Sequence, residues 1–81
     1  MGGLTVVSLA VDEPGVRIGL VAGRRLGSSV TRNRIKRRIR HAFHHVELPR
    51  GTDLVVIPSP RVAQVPFPTL VEWLQRAVVS P

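Results

Sequence analysis

Between Val16 and Gly23 apolar and other residues alternate. Val16, Ile18, Leu20 and Ala22 fall on one side of an extended chain, and Arg17, Gly19, Val21 and Gly23 on the other. A period of two is the pleat of a strand with one buried face. Further along, the period changes. Ile35, Ile39, Ala42, Phe43 and Val46 recur at three- and four-residue steps, which at 100° per residue places them within about a third of a helix circumference. The spacing predicts a helix from Ser28 or Ser29, either of which can cap free N–H groups of the first turn, to about Val46. At 1.5 Å per residue it is roughly 27 Å long. Asn33, Arg34, Lys36, Arg37, Arg38, Arg40, His41 and His44 fill most of the remaining surface, and Arg32 projects near the edge of the apolar stripe.

Other elements follow from residue type. Leu4 to Val11 is rich in β-branched residues and reads as a strand. Asp12-Glu13-Pro14-Gly15 is a turn, since Pro sets φ and Gly accepts positive φ. Two strands so closely joined predict an antiparallel hairpin. Leu48-Pro49-Arg50-Gly51 breaks the long helix, Thr52 to Ile57 reads as a buried strand, and Pro58-Ser59-Pro60 ends it. The strand–helix–strand order predicts two parallel strands. Pro68 to Val79 is a second helix with Leu70, Trp73, Leu74, Ala77 and Val78 on its apolar face, and Pro68 sits in the first turn, where a missing N–H costs little. No repeat, linker or low-complexity stretch interrupts the chain, so residues 1–81 read as one domain.

Charge changes the picture of the long helix. Formal net charge is +7, and ten of the twelve basic residues lie between Arg17 and Arg50. No acidic residue occurs from Gly15 to Val46. Solvated helices usually mix signs at four-residue steps, whereas this one repeats like charges at Arg32/Lys36, Arg34/Arg38 and Lys36/Arg40, which is mildly destabilising without a partner. Eleven of the twelve cations are Arg, whose planar fork suits phosphate and stacks on bases. A dense cationic face on a folded scaffold therefore points to nucleic acid. Apolar residues make up 43% of the chain, too many for a disordered basic arm. There is no cysteine, hence no disulfide framework or thiolate metal site. No apolar run approaches the ~20 residues that cross a bilayer, and the N-terminus lacks the basic start of a signal peptide. These features read as a cytoplasmic protein.

Candidate catalytic chemistry is sparse. His41, His44 and His45 are a conceivable metal cluster, but no Cys or carboxylate pair completes three or four ligands. A helix end, where imidazolium suits the dipole, is the plainer account. Asp12 and Glu13 read as exposed turn residues. Asp53 and Glu72 lie on different elements, and the serines have no evident His/Asp companions. Trp73 reads as core.

From Arg17 onward the chain resembles the protein subunit of bacterial ribonuclease P. The resemblance rests on Arg17-Ile18-Gly19-Leu20, Arg24-Arg25-Leu26-Gly27, Val30, Arg32-Asn33-Arg34-Ile35-Lys36-Arg37, Ala42-Phe43 and Asp53-Leu54-Val55-Val56-Ile57, followed by a final helix. It implies an α+β fold: a small two-layer sandwich with a mixed sheet of about three strands and two helices, a left-handed βαβ crossover at the basic helix, and likeness to a domain of a small-subunit ribosomal protein. It implies an RNA-binding subunit of an endoribonuclease that helps a catalytic RNA remove the 5′ leader of precursor tRNA. Hydrolysis would belong to the RNA with Mg2+, and no metal, cofactor or catalytic residue to the protein. By position, Arg24, Arg25, Arg32, Asn33, Arg34, Lys36, Arg37 and Arg40 would face RNA.

Members of that family carry a helix and more strand before the point where this chain begins, so the resemblance implies a domain without that N-terminal helix. It also implies a leader cleft with aromatic side chains, and Leu4–Val11 has none. Stacking of single-stranded bases normally uses such rings. Binding to the RNA subunit is thus expected ahead of binding to the leader. Two further readings stay open. One is a generic structured-RNA or ribosome-associated module; the other is an autonomous nuclease, which the lack of clustered acids and histidines disfavours. A membrane-surface role would need an aromatic belt that the chain lacks.

Overall fold

The structure is a computed structural model that describes residues 3–48 and 50–79; the side chains of Val16 and Val79 are outside the description, as is Pro49 of the expected helix-breaking turn. Three strands form one mixed sheet: β1 (Leu4–Ala10), β2 (Val16–Leu20) and β3 (Thr52–Pro58). Helix α1 spans Ser29–Phe43 and helix α2 spans Phe67–Val79. Short 3-10 turns occupy Arg24–Leu26 and Pro60–Ala63. The result is the small α+β fold that the sequence predicts.

The strand order is β1-β3-β2. The predicted β1–β2 hairpin does not form. β3 inserts between them, antiparallel to β1 and parallel to β2, with Val6 opposite Val56 and Ile18 opposite Leu54. Backbone bonding explains why the short 11–15 connection does not close a hairpin. The Val11 N–H donates to the Gly51 carbonyl (2.8 Å), and the Gly51 N–H donates to the Gly15 carbonyl (2.9 Å). The connection therefore wraps over the entry to β3, and Gly51 takes φ 70° there, a region open to glycine at little cost.

β3 reads from the sequence as a buried strand, and its burial is one-sided. Leu54 and Val56 are buried while Val55 is exposed, so both helices lie on one side of the sheet. The opposite face is open, with Val7, Leu9 and Val55 exposed. There Arg17 and Asp53, in register on β2 and β3, form a two-pronged ion pair, Nε to Oδ1 2.9 Å and Nη2 to Oδ2 2.7 Å. The hydrogen bond to Asp53 first, and its Coulomb attraction second, hold the Arg17 guanidinium above the ordinary arginine range.

The core sits between sheet and helices. Ile35, Ile39, Ala42 and Phe43 of α1 are buried as the stripe predicts, together with Val46, Leu26, and Leu70, Leu74 and Val78 of α2. Trp73 and Ala77 are half-buried at its rim. α1 packs on α2 and on the Pro60–Ala63 turn, and α2 covers β1. Ser28 is the cap of α1, its hydroxyl accepting from the Thr31 N–H at 3.3 Å. The helix ends at Phe43 and not at Val46. The next three N–H groups, from His44 to Val46, bond three residues back to His41, Ala42 and Phe43, the tightened turn that commonly closes a helix.

Candidate nucleic-acid interface

The apolar stripe fixes which way every cation on α1 can point. With Ile35 and Ile39 locked into the core, rotation of about 100° per residue splits the polar surface into two flanks. Lys36, Arg40 and His44 follow one another at four-residue steps along the flank facing β2. Arg34, Arg38, His41 and His45 lie toward the opposite flank.

The β2 flank borders a cleft of about 660 Å3, lined by Ile18 and Leu20 from β2, Lys36, Ile39, Arg40, Phe43 and His44 from α1, and Leu48 beyond it. Its walls differ in kind: aliphatic on the strand side, cationic along the helix rim. A shallower groove of about 440 Å3 runs over the helix surface beside it, lined by Val30, Asn33, Lys36, Arg37 and Arg40. No carboxylate lines either one. In such a setting an anion meets several donors and no competing acceptor.

Four of the eight residues expected to face RNA, Asn33, Lys36, Arg37 and Arg40, are thus brought together. Arg24 and Arg25 are exposed on the 3-10 turn ahead of α1, and Arg34 is exposed on α1. Arg32 is half-buried. None of these four lines the cleft or the groove. Conversely, Ile18, Leu20, His44 and Leu48 escaped the expectation. The four-residue steps from Lys36 to His44 were readable; the position of β2 beside them was not.

Arg38 belongs to the scaffold. Its guanidinium donates to the Val62 carbonyl at 2.9 Å and to the Val65 carbonyl. Burial first, and the neighbouring Arg34 charge second, push it below the ordinary arginine range. The histidines also part company: His45 packs edge-on against Phe67 at 5.8 Å between centroids, while His44 lines the cleft. No group of three or more metal-ligating side chains stands together among the described residues. Nor is any helix among them long and apolar enough to cross a membrane.

The chain has counterparts among known proteins. The family model described as Ribonuclease P matches residues 2–80. The chain belongs to the ribonuclease P protein family. The ribonuclease P protein component of Chloroflexus aggregans is 48% identical over 70 residues, covering 83% of this chain and 52% of that protein. That of a Roseiflexus species is 43% identical over 65 residues, covering 76% and 53%. The chain thus spans about half the length of these relatives. Among solved structures, the ribonuclease P protein of Thermotoga maritima superposes with a TM-score of 0.82 at 29% identity, covering 94% of this chain and 74% of that one. The three-stranded mixed sheet and two helices therefore match the fold of that ribonuclease P protein over the part they cover.

Proposed function

We propose that this chain is the RNA-binding portion of a ribonuclease P protein subunit, docking on the catalytic RNA and assisting removal of the 5′ leader from precursor tRNA. One observation carries the reading: Asn33, Lys36, Arg37 and Arg40 share a carboxylate-free groove on a helix whose opposite face is locked in the core. A rigid helix presents its cations without the entropy cost of ordering a flexible arm, which favours a defined RNA surface over loose polyanion attraction. Arg24, Arg25, Arg32 and Arg34 extend the positive field around that groove and strengthen attraction at a distance.

Phosphodiester hydrolysis is assigned to the RNA, with Mg2+ at the reacting phosphate. The protein's part is electrostatic: each Arg or Lys contact displaces condensed counterions and lowers the demand for divalent ions. Leader contact is the weaker half of the proposal. The cleft beside β2 has a cationic rim that suits a single strand, but its strand wall is Ile18 and Leu20, and among the described residues its only rings are Phe43 and the His44 imidazole. Aliphatic walls pack on a base without the stacking that aromatic rings supply.

The test is reconstitution. Adding the chain to its cognate RNA is expected to lower the Mg2+ needed for precursor tRNA cleavage; an unchanged requirement overturns the subunit role. Equal affinity for unrelated structured RNA would instead favour a general RNA-binding module.

A further inference from the structure

The cleft stripe on α1 does not stop at the last arginine. Lys36, Arg40 and His44 are successive members of one four-residue ladder, and His44 stands at its end, where the helix gives way to the 44–46 turn. The other groups around the cleft are known. β2 brings Ile18 and Leu20, α1 brings Ile39 and Phe43 at the base, and the following segment brings Leu48. All are apolar. The charged groups that line the cleft with His44 are therefore Lys36 and Arg40 from its own helix, and no carboxylate is among the lining residues. Glu47 is its nearest acidic neighbour in the chain, and the Glu47 backbone is engaged with α2, its N–H donating to Gln75 Oε1 at 3.0 Å. The remaining histidines do not share this position: His45 is against Phe67, and His41 is exposed outside the cleft lining.

We propose that His44 is a proton-dependent phosphate contact that extends the RNA site one helical turn beyond Arg40. The proposal rests on the reading of the cleft as an RNA site and adds its regulation by pH. A phosphate held on the Lys36–Arg40 ladder favours the protonated imidazole, which then donates from both ring nitrogens. Binding and proton uptake are linked, so affinity rises as pH falls through the histidine range and declines as pH rises out of it. Lys36 and Arg40 keep their charge throughout and supply the pH-independent part.

The probe is a single-stranded oligouridylate, since uracil gains no proton under mildly acidic conditions. Affinity is followed by fluorescence anisotropy across a salt series at about pH 8 and about pH 5.5, the two sides of the histidine range. One added phosphate contact steepens the log–log salt slope by about 0.7 for a single strand. The original chain is expected to show that increase at the lower pH. His44→Gln should lose it, and His44→Arg should show the steep slope at both pH values. Because His44 is exposed at a helix end, these variants should retain the far-UV spectrum of the fold. His41→Gln should behave as the original chain does. An unaltered pH dependence in His44→Gln overturns the proposal, as does a slope that is the same at both pH values in the original chain. The underlying reading fails separately: Lys36→Ala and Arg40→Ala would then leave binding at pH 8 unchanged. If those two weaken binding while His44→Gln changes nothing at pH 5.5, the histidine proposal alone is wrong.

Discussion

Arg38 donates a hydrogen bond to the Val62 carbonyl at 2.9 Å, pinning the charged helix α1 to the turn that precedes α2. The same guanidinium reaches the Val65 carbonyl. A cation surrounded in sequence by the cations of the proposed RNA surface is thus a structural clamp, and its replacement separates stability from binding. Arg38→Met keeps much of the aliphatic stem and leaves two carbonyls without this donor. The expected cost is about 1–3 kcal/mol, read from the denaturant midpoint, while the salt slope of RNA binding stays as it was. Arg38→Lys should recover little, because an ammonium lacks the fork that spans both carbonyls.

Arg37 gives the opposite result. It is exposed and lines the groove with Asn33 and Arg40. Arg37→Ala should leave the unfolding midpoint within about 0.5 kcal/mol of the original. The salt slope should fall by about 0.9 if the RNA there is helical, or about 0.7 if it is single-stranded. Measured together, the two variants divide the basic helix into gripping and anchoring sides.

Gly51 is the pivot over which the 11–15 connection passes. Its φ is 70°, and a Cβ there would stand 3.3 Å from the Val11 carbonyl oxygen. Gly51→Ala should destabilise the chain by about 1–2 kcal/mol, the left-handed backbone penalty. Gly51→Asn should cost less, since Asn tolerates that region. Thermal unfolding of both variants checks the order.

Leu54 occupies the middle strand and is 1% exposed. Leu54→Ala should cost about 2–5 kcal/mol from lost burial and the cavity left behind. For a domain of this size that is a large part of the total. Urea unfolding should show a much lower midpoint, and RNA affinity at room temperature should drop with the folded fraction.

The sequence made the helices plain and the sheet order obscure, for a physical reason. Ile35, Ile39, Ala42 and Phe43 carry a local period, and local periods depend on neighbours a few residues away. The pairing of Val6 with Val56 and of Ile18 with Leu54 spans tens of residues. Nothing in the short turn at Asp12–Gly15 signals that a third strand will come between its flanks. The candidate interface was legible in the same measure. Lys36, Arg37 and Arg40 declare themselves by charge and spacing. Arg38 looks identical in type, and only the carbonyls of the 62–65 turn single it out. Ile18 and Leu20 looked like ordinary strand residues until β2 was placed beside α1.

The insertion of β3 also has a consequence in time. Synthesis delivers β1, β2 and the whole of α1 before Thr52–Pro58, the strand to which both others bond. Until that strand has left the ribosome, neither outer strand has its backbone partner, and the Lys36–Arg40 ladder rides on a helix without a sheet beneath it. Closure is then a late event that joins distant parts of the chain at once, the kind of step that slows folding. During that interval the ten basic residues from Arg17 to Arg50 are already made or nearly so, and β3 is the element that fixes their spacing by giving the helix a sheet to rest on.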